Sequence, residues 1–168
     1  EAHSPGPGKG SEFTVRLPLV ADTAFQTARL VAPHSVASSA VPRRVLVVDD
    51  SRDCGLVLGK LLETLGHQVM VAGNATSALD LARSHRPDVV ISDIAMVGMD
   101  GYELARRLRG APETQGIVLI ALTGYGQEND RLCTQEAGFD HHLVKPVSMD
   151  MLERLFELVP ARQRIPSG

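Results

Sequence analysis

The chain has 168 residues, of which 43% are apolar and 22% are charged, and its formal net charge is −3. No apolar run approaches the roughly 20 residues that a membrane helix needs, and no basic stretch is long enough to indicate nucleic-acid binding, so neither a membrane contact nor a nucleic-acid partner is expected. The two cysteines, Cys54 and Cys133, lack metal-ligand spacing, which favours free thiols in a reducing cytoplasm.

The chain changes character near residue 43. Residues 1–42 are rich in Pro, Gly and Ser, and most of them follow no hydrophobic period. Over residues 43–160, short apolar runs alternate with stretches of helical period. Strands are predicted over 44–49, 68–72, 88–93, 117–122 and 141–144, and helices over 52–65, 75–84, 101–109, 127–137 and 149–158. Gly66 and Gly138 are predicted to end the first and fourth helices, and Ser148 to cap the fifth.

Five β-α units in succession predict an α/β domain in which helices cover both faces of one parallel sheet. The strands are nearly continuous runs of Val, Ile and Leu, which suits a sheet that is buried on both faces. Right-handed crossovers leave few topologies, and the common strand order is 2-1-3-4-5, a doubly wound (βα)5 fold of the flavodoxin type. Ligands bind such sheets beyond the carboxyl ends of the strands, where the strand order reverses.

Four of the five predicted strands end in a residue suited to phosphate or metal chemistry. Asp49 ends the first strand, Asp50 comes directly after it, and Asp93 ends the third. Thr123 follows the fourth strand, and Lys145 follows the fifth. Each of these residues alone has an ordinary explanation as a helix cap, a turn or a solvated side chain. Their joint occurrence at the carboxyl ends of one sheet predicts a single pocket.

Three converging carboxylates repel one another, and a divalent cation removes that repulsion. Mg²⁺ takes oxygen ligands and combines one or two carboxylates with phosphate oxygens. Asp50 and Asp93 are the expected direct ligands, whereas Asp49 binds directly or through water. The backbone carbonyl of Ala95 is expected to complete the protein's share of the ligands.

Asp93 is also placed to act as a nucleophile, because it ends a rigid strand and precedes a loop that contains glycines. A carboxylate that attacks phosphorus forms an aspartyl phosphate. Such transfers depend mostly on positioning and charge stabilisation. The Lys145 ammonium and the Thr123 hydroxyl are predicted to contact the phosphoryl oxygens, and Gly124 leaves the site open.

Four stretches together resemble the receiver domain of two-component response regulators: VLVVDD at 45–50, ISDIAMVGMDGYEL at 91–104, ALTGYG at 121–126 and GFDHHLVKPV at 138–147. The resemblance covers about residues 43–160. It implies Mg²⁺-dependent phosphoryl transfer from a phosphohistidine to Asp93, slow self-hydrolysis, and a shift between inactive and active conformations. It also implies further roles: Asp49 and Asp50 as the acidic pair, Thr123 as the switch hydroxyl, Lys145 as the conserved lysine, and a cis peptide bond before Pro146.

Positions beside the site are expected to set the conformation of its loop, its switch and the lifetime of the phosphoryl group. The family usually has Pro four residues after the phosphoacceptor, where this chain has Val97, so a looser loop is expected. A second switch position of the family is often occupied by Tyr or Phe, and this chain has His142 there. Either its contacts with Thr123 are pH-sensitive near neutrality, or it only packs at the start of its strand. Ala95 cannot orient a hydrolytic water and Tyr125 is bulky enough to shield the phosphoryl group, so a phosphoryl lifetime of minutes or longer is expected.

The segment PGPGKGSEFTVRLPLV at 5–20 carries a second resemblance, to the end of the ATP-binding domain of sensor histidine kinases. From chemistry alone it is a Gly/Pro turn followed by a hairpin arm. The resemblance implies the C-terminal portion of a hybrid histidine kinase, with a kinase remnant at 1–20, a linker at 21–42, the receiver at 43–160 and a tail at 161–168. Everything before the receiver is expected to be poorly ordered or to pair with a partner's sheet edge, since a lone hairpin is marginally stable.

The expected partners are a histidine kinase or a histidine-phosphotransfer domain, and a second copy bound through the face of the fourth helix, fifth strand and fifth helix. The chain itself is expected to catalyse only its own phosphorylation and dephosphorylation. One alternative is a haloacid-dehalogenase-type phosphatase, which also forms an aspartyl phosphate with Mg²⁺ but uses a second Asp where this chain has Ala95. Another is a receiver-like interaction domain that does not accept phosphate.

Overall fold

The computed structural model describes residues 2–3, 6, 10, 12–14, 41–124 and 128–159. The chain divides into two compact units, Glu1–Ala37 and Ser38–Gly168. In the first unit, β1 (Ala2–His3) pairs antiparallel with β2 (Glu12–Phe13). The rest of the predicted kinase remnant, nearly all of the predicted linker and the tail lie outside the described residues, so their expected boundaries and lack of order stay predictions.

The second unit alternates strands with helices, and each element lies within one residue of its predicted bounds. The strands are β3 (Arg44–Val48), β4 (Gln68–Ala72), β5 (Val89–Asp93), β6 (Val118–Thr123) and β7 (His141–Val144). The helices are α1 (Arg52–Thr64), α2 (Ala75–His85), α3 (Gly101–Gly110), α4 (Glu128–Glu136) and α5 (Met149–Leu158).

These five strands form one parallel sheet in the order β4-β3-β5-β6-β7. This arrangement confirms the predicted 2-1-3-4-5 order. The strand order reverses between β3 and β5, where Val48 is level with Ser92. At the other side of the sheet, Thr123 is level with Val144. The carboxyl ends of β3, β5, β6 and β7 therefore meet along one edge.

Two apolar cores cover the two faces of this sheet. In β3, Val45 and Val47 pack in the core that includes α1 and α5, whereas Leu46 and Val48 pack in the core that includes α2 and α3. All four side chains are fully buried, which explains why the strand is a continuous apolar run. Each such burial contributes about 1.5–3 kcal/mol, so the sheet is a rigid base for the residues at its edge.

Polar caps and glycines set where the helices begin and end. Ser51, Asp100 and Ser148 accept hydrogen bonds from backbone N–H groups at the starts of α1, α3 and α5. Gly66 and Gly138 take the left-handed conformation, with φ of 87° and 95°, after α1 and α4. The predictions for Ser148 and for both glycines are confirmed. Among the described residues, no helix has the length and apolar character to cross a bilayer.

Candidate functional site

Three carboxylates converge at the reversal point of the sheet. Asp49 and Asp50 follow β3, and Asp93 ends β5. One carboxylate oxygen from each lies within 4.8 Å of the others. Asp49 and Asp93 are buried, at 2% and 9% exposure, whereas Asp50 is exposed. The structure therefore brings the three predicted acids together, with two of them removed from bulk water.

Each of these carboxylates accepts a backbone hydrogen bond. Ser51 N donates to Asp49 Oδ1 at 2.9 Å, and Ala95 N donates to Asp93 Oδ1 at 3.2 Å. Both donors come from the residue two positions after the acid, within its own loop. Asp50 Oδ2 instead accepts from Val97 N at 3.0 Å, in the loop between β5 and α3. The backbone thus orients all three acids before any ligand binds.

Lys145 supplies the positive charge of the site. Its Nζ lies 3.1 Å from Asp49 Oδ2 and 2.7 Å from Asp93 Oδ2. Burial lowers the pKa of this ammonium, but the hydrogen bonds and charges of Asp93 and Asp49 outweigh that effect, so the pKa lies above its ordinary value. Lys145 therefore stays charged at neutral pH. The following Lys145–Pro146 peptide bond is cis, the isomer that the sequence resemblance implies.

Thr123 ends β6 beside these groups and is buried, with 5% of its surface exposed. Its hydroxyl donates to the carbonyl of Leu143 on β7 at 3.5 Å. His142 lies on the same strand, half-buried and level with Ala121. The hydroxyl is thus engaged with β7 in this structure. The predicted shielding residue Tyr125 lies outside the described residues.

Gly101 is a residue whose importance sequence reasoning missed. It begins α3 and packs against the peptide that follows Asp93, and its N–H donates to Ile94 O at 3.0 Å. A Cβ at this position would lie 2.5 Å from the carbonyl oxygen of Asp93. The only local signal in the sequence was a glycine directly after the N-cap Asp100. That signal does not reveal that the Asp93 peptide packs against it.

A groove of about 600 Å³ opens from the site toward α1. Most of its walls come from α1 and from the segment that follows β7, and Asp49 after β3 and Leu122 on β6 complete them. The lining residues are Asp49, Asp53, Cys54, Val57, Leu58, Leu61, Leu122, Lys145, Pro146 and Val147. On α1, Leu56 and Val57 are 52% and 63% exposed. Of these two, Val57 lines the groove and Leu56 does not.

A sequence profile described as the response regulator receiver domain matches residues 45–157. The chain is 35% identical over 170 residues to the virulence sensor protein BvgS of Bordetella bronchiseptica, a match that covers 98% of this chain and 14% of BvgS. It is 38% identical over 118 residues to protein PilH of Pseudomonas aeruginosa, covering 70% of this chain and 98% of PilH. The chain thus spans about a seventh of the length of BvgS and nearly all of PilH.

A similar solved structure is the receiver domain of the sensor histidine kinase PA1611 from Pseudomonas aeruginosa PAO1. The TM-score is 0.65 at 26% identity, over 71% of this chain and 98% of that one. The PA1611 receiver carries a magnesium ion coordinated in its active site cleft. The similarity to it extends over most of the second compact unit.

Proposed function

The chain belongs to the response regulator receiver family, and we propose that Asp93 is the residue that accepts a phosphoryl group from a phosphohistidine. The observation that carries this proposal is the position of Lys145 Nζ, which contacts both Asp49 and Asp93 beside the third acid, Asp50. Removing charges from water is costly and yields little net stability. A cluster of acids, two of them buried, around one fixed cation is therefore better suited to phosphoryl chemistry than to holding the fold together.

In the transfer, an oxygen of Asp93 forms a bond to phosphorus while the bond from phosphorus to the histidine nitrogen breaks. The electron pair of the broken bond stays on that nitrogen, and no oxidation or reduction occurs. Lys145 stabilises the negative charge that spreads over the phosphoryl oxygens. Ala95 N, which holds Asp93 Oδ1 at 3.2 Å, keeps the carboxylate oriented for attack.

Mg²⁺ is the cofactor that fits these residues, because three carboxylates with oxygens inside 4.8 Å form a hard, anionic ligand set. Asp49, Asp50 and Asp93 would hold the ion, together with the backbone carbonyl of Ala95. When bound, it would supply positive charge to the phosphoryl oxygens. The magnesium ion in the PA1611 receiver supports this assignment.

Thr123 is proposed as the switch hydroxyl. It now donates to Leu143 O, and a turn toward the phosphoryl group would release that bond on β7. His142, on the same strand, is the proposed second switch residue. Ala95 and Tyr125 are proposed to slow hydrolysis, so the label on a phosphorylated chain should decay with a half-life of minutes or longer; a half-life of seconds would contradict this.

The parent protein is proposed to be a hybrid histidine kinase. The match to the sensor protein BvgS covers 98% of this chain and so includes the segment before residue 43, where residues 5–20 resemble the end of a kinase domain. The proposed boundaries stay at 1–20, 21–42, 43–160 and 161–168. A cytoplasmic location is proposed as well, because both cysteines are free and exposed, as a reducing compartment keeps them.

The proposed partner is a histidine kinase or histidine-phosphotransfer domain that docks beside the site. The groove between α1 and the segment after β7 suits this role, since its walls include both the exposed Val57 and Lys145. Docking there would place a phosphohistidine next to Asp93. A homodimer through α4, β7 and α5 is a further proposal, and nucleic acid and membrane are not proposed as partners.

Incubation with acetyl phosphate and Mg²⁺, followed by intact-mass measurement, tests the phosphoacceptor. Wild type should gain one phosphoryl group and Asp93→Ala should gain none. Asp80→Ala is the matched control, because Asp80 is an exposed acid on α2. No added mass on wild type, or equal addition on Asp93→Ala, would contradict the proposal. Catalytic turnover of acetyl phosphate without accumulation of the phosphoprotein would point to the phosphatase alternative.

A further inference from the structure

One of the three acids is held by a residue that is distant in sequence. Val97 N donates to Asp50 Oδ2 at 3.0 Å, across 47 positions of the chain. We propose that the backbone N–H of Val97 is a positioning group for Asp50 and thereby sets the affinity of the site for Mg²⁺. This inference rests on the proposed function. The hydrogen bond ties the loop after β5 to the loop after β3.

Asp50 needs such support more than its two neighbours do. Asp49 and Asp93 are buried and share the Lys145 ammonium, so their rotamers are already restricted. Asp50 is exposed, and an exposed carboxylate loses side-chain freedom when it coordinates an ion. A hydrogen bond that holds one oxygen in place beforehand reduces that loss and leaves the other oxygen available.

The role belongs to the backbone of Val97 and not to its side chain, which is 89% exposed. The loop presents the N–H because its neighbours are anchored: Met96 is buried and its N–H donates to Ile94 O at 3.1 Å, and Gly98 turns the chain with φ of 86°. Proline has no N–H to donate. This chain therefore has at position 97 a hydrogen bond that the proline usual at this position in the receiver family cannot make.

Two substitutions at position 97 distinguish the effect of the backbone N–H donor from the effect of the side chain. Val97→Pro removes the N–H, whereas Val97→Ala keeps it and deletes only exposed methyl groups. Calorimetric titration with MgCl₂ should show about tenfold weaker binding for Val97→Pro and wild-type affinity for Val97→Ala. Phosphorylation of Val97→Pro by acetyl phosphate should need correspondingly more Mg²⁺ and reach the wild-type rate at saturation. Equal affinity of wild type and Val97→Pro, or equal loss in both variants, would overturn the role of the N–H.

Amide exchange by NMR in the absence of metal checks that the N–H of residue 97 donates to Asp50 in solution. In wild type and Val97→Ala, the amide at position 97 should be protected from exchange, and Asp50→Ala should remove that protection while the amides of α3 keep theirs. An unprotected amide at 97 in wild type would overturn the inference. Absence of Mg²⁺ binding by wild type would instead contradict the proposed function together with it.

Discussion

Replacing Gly101 by alanine adds one methyl group between the start of α3 and the backbone of the proposed phosphoacceptor. That methyl carbon would lie 2.5 Å from Asp93 O, 2.8 Å from Ile94 Cα and 3.2 Å from Asp93 C. All three are main-chain atoms at the end of a buried strand, so no flexible side chain can move aside. Either α3 must shift outward or the peptide after Asp93 must rotate.

The expected cost follows from these distances. Overpacking a well-packed site costs about 1–3 kcal/mol, and alanine regains up to about 1 kcal/mol over glycine within a helix. Because the clash is with main-chain atoms, we expect a net loss near 1–2 kcal/mol in the free energy of unfolding. We also expect slower phosphorylation, since the displaced peptide carries the nucleophile and misplacement by about 1 Å lowers reaction rates by up to about a hundredfold.

Urea unfolding followed by far-ultraviolet circular dichroism measures the first effect, and the initial rate of mass gain with acetyl phosphate measures the second. Gly110→Ala is the matched control, because it lies at the other end of α3 and its added methyl group would have no atom within 4 Å beyond its chain neighbours and its own helix backbone. It should be neutral or slightly stabilising, with a wild-type rate. Wild-type stability and rate in Gly101→Ala would refute the reasoning, as would equal losses in both variants.

Two further predictions concern charge. Lys145→Met leaves buried Asp49 and Asp93 without their cation. Breaking a fully buried pair costs about 3–5 kcal/mol, but the Lys145 side chain is 33% exposed and solvent screens it, so without Mg²⁺ the free energy of unfolding should fall by a smaller amount, about 1–3 kcal/mol. Millimolar Mg²⁺ should restore part of the loss, and a loss that Mg²⁺ does not reduce would contradict the prediction. His67 is buried against Phe156, with ring centroids 4.1 Å apart, and burial, then the charge of Arg43, lowers its pKa from 6.5. Below about pH 6.5, the unfolded chain therefore takes up a proton at His67 more readily than the folded chain does. The free energy of unfolding should keep its His67 contribution above about pH 6.5 and decrease as the pH falls below that value. In His67→Gln, the free energy of unfolding measured by urea titration should decrease less between about pH 7.5 and 5.5 than in wild type. An equal decrease in both proteins would exclude this role for His67.

Much of the fold and the pocket was predictable because the responsible patterns are local. Continuous apolar strands such as Val45–Val48, helical periods between them and glycines after the helices specify the elements within a few residues of sequence. Alternation of strand and helix then restricts the topology to a parallel sheet, whose carboxyl ends must meet. Asp49, Asp50, Asp93, Thr123 and Lys145 were therefore predicted to share a pocket, and the structure brings them to one edge.

Only the tertiary structure decided how that pocket is held. Three contacts hold it, and each joins residues from different secondary-structure elements or loops. They are the Lys145 ammonium between Asp49 and Asp93, the Val97 N–H on Asp50, and the contact of Gly101 with the Asp93 peptide. Such contacts depend on ångström-scale placement of whole elements, which no local period encodes. Val97 illustrates the difference: its identity indicated only a missing proline and a looser loop, whereas its position in space supplies a hydrogen bond to an acid 47 residues away.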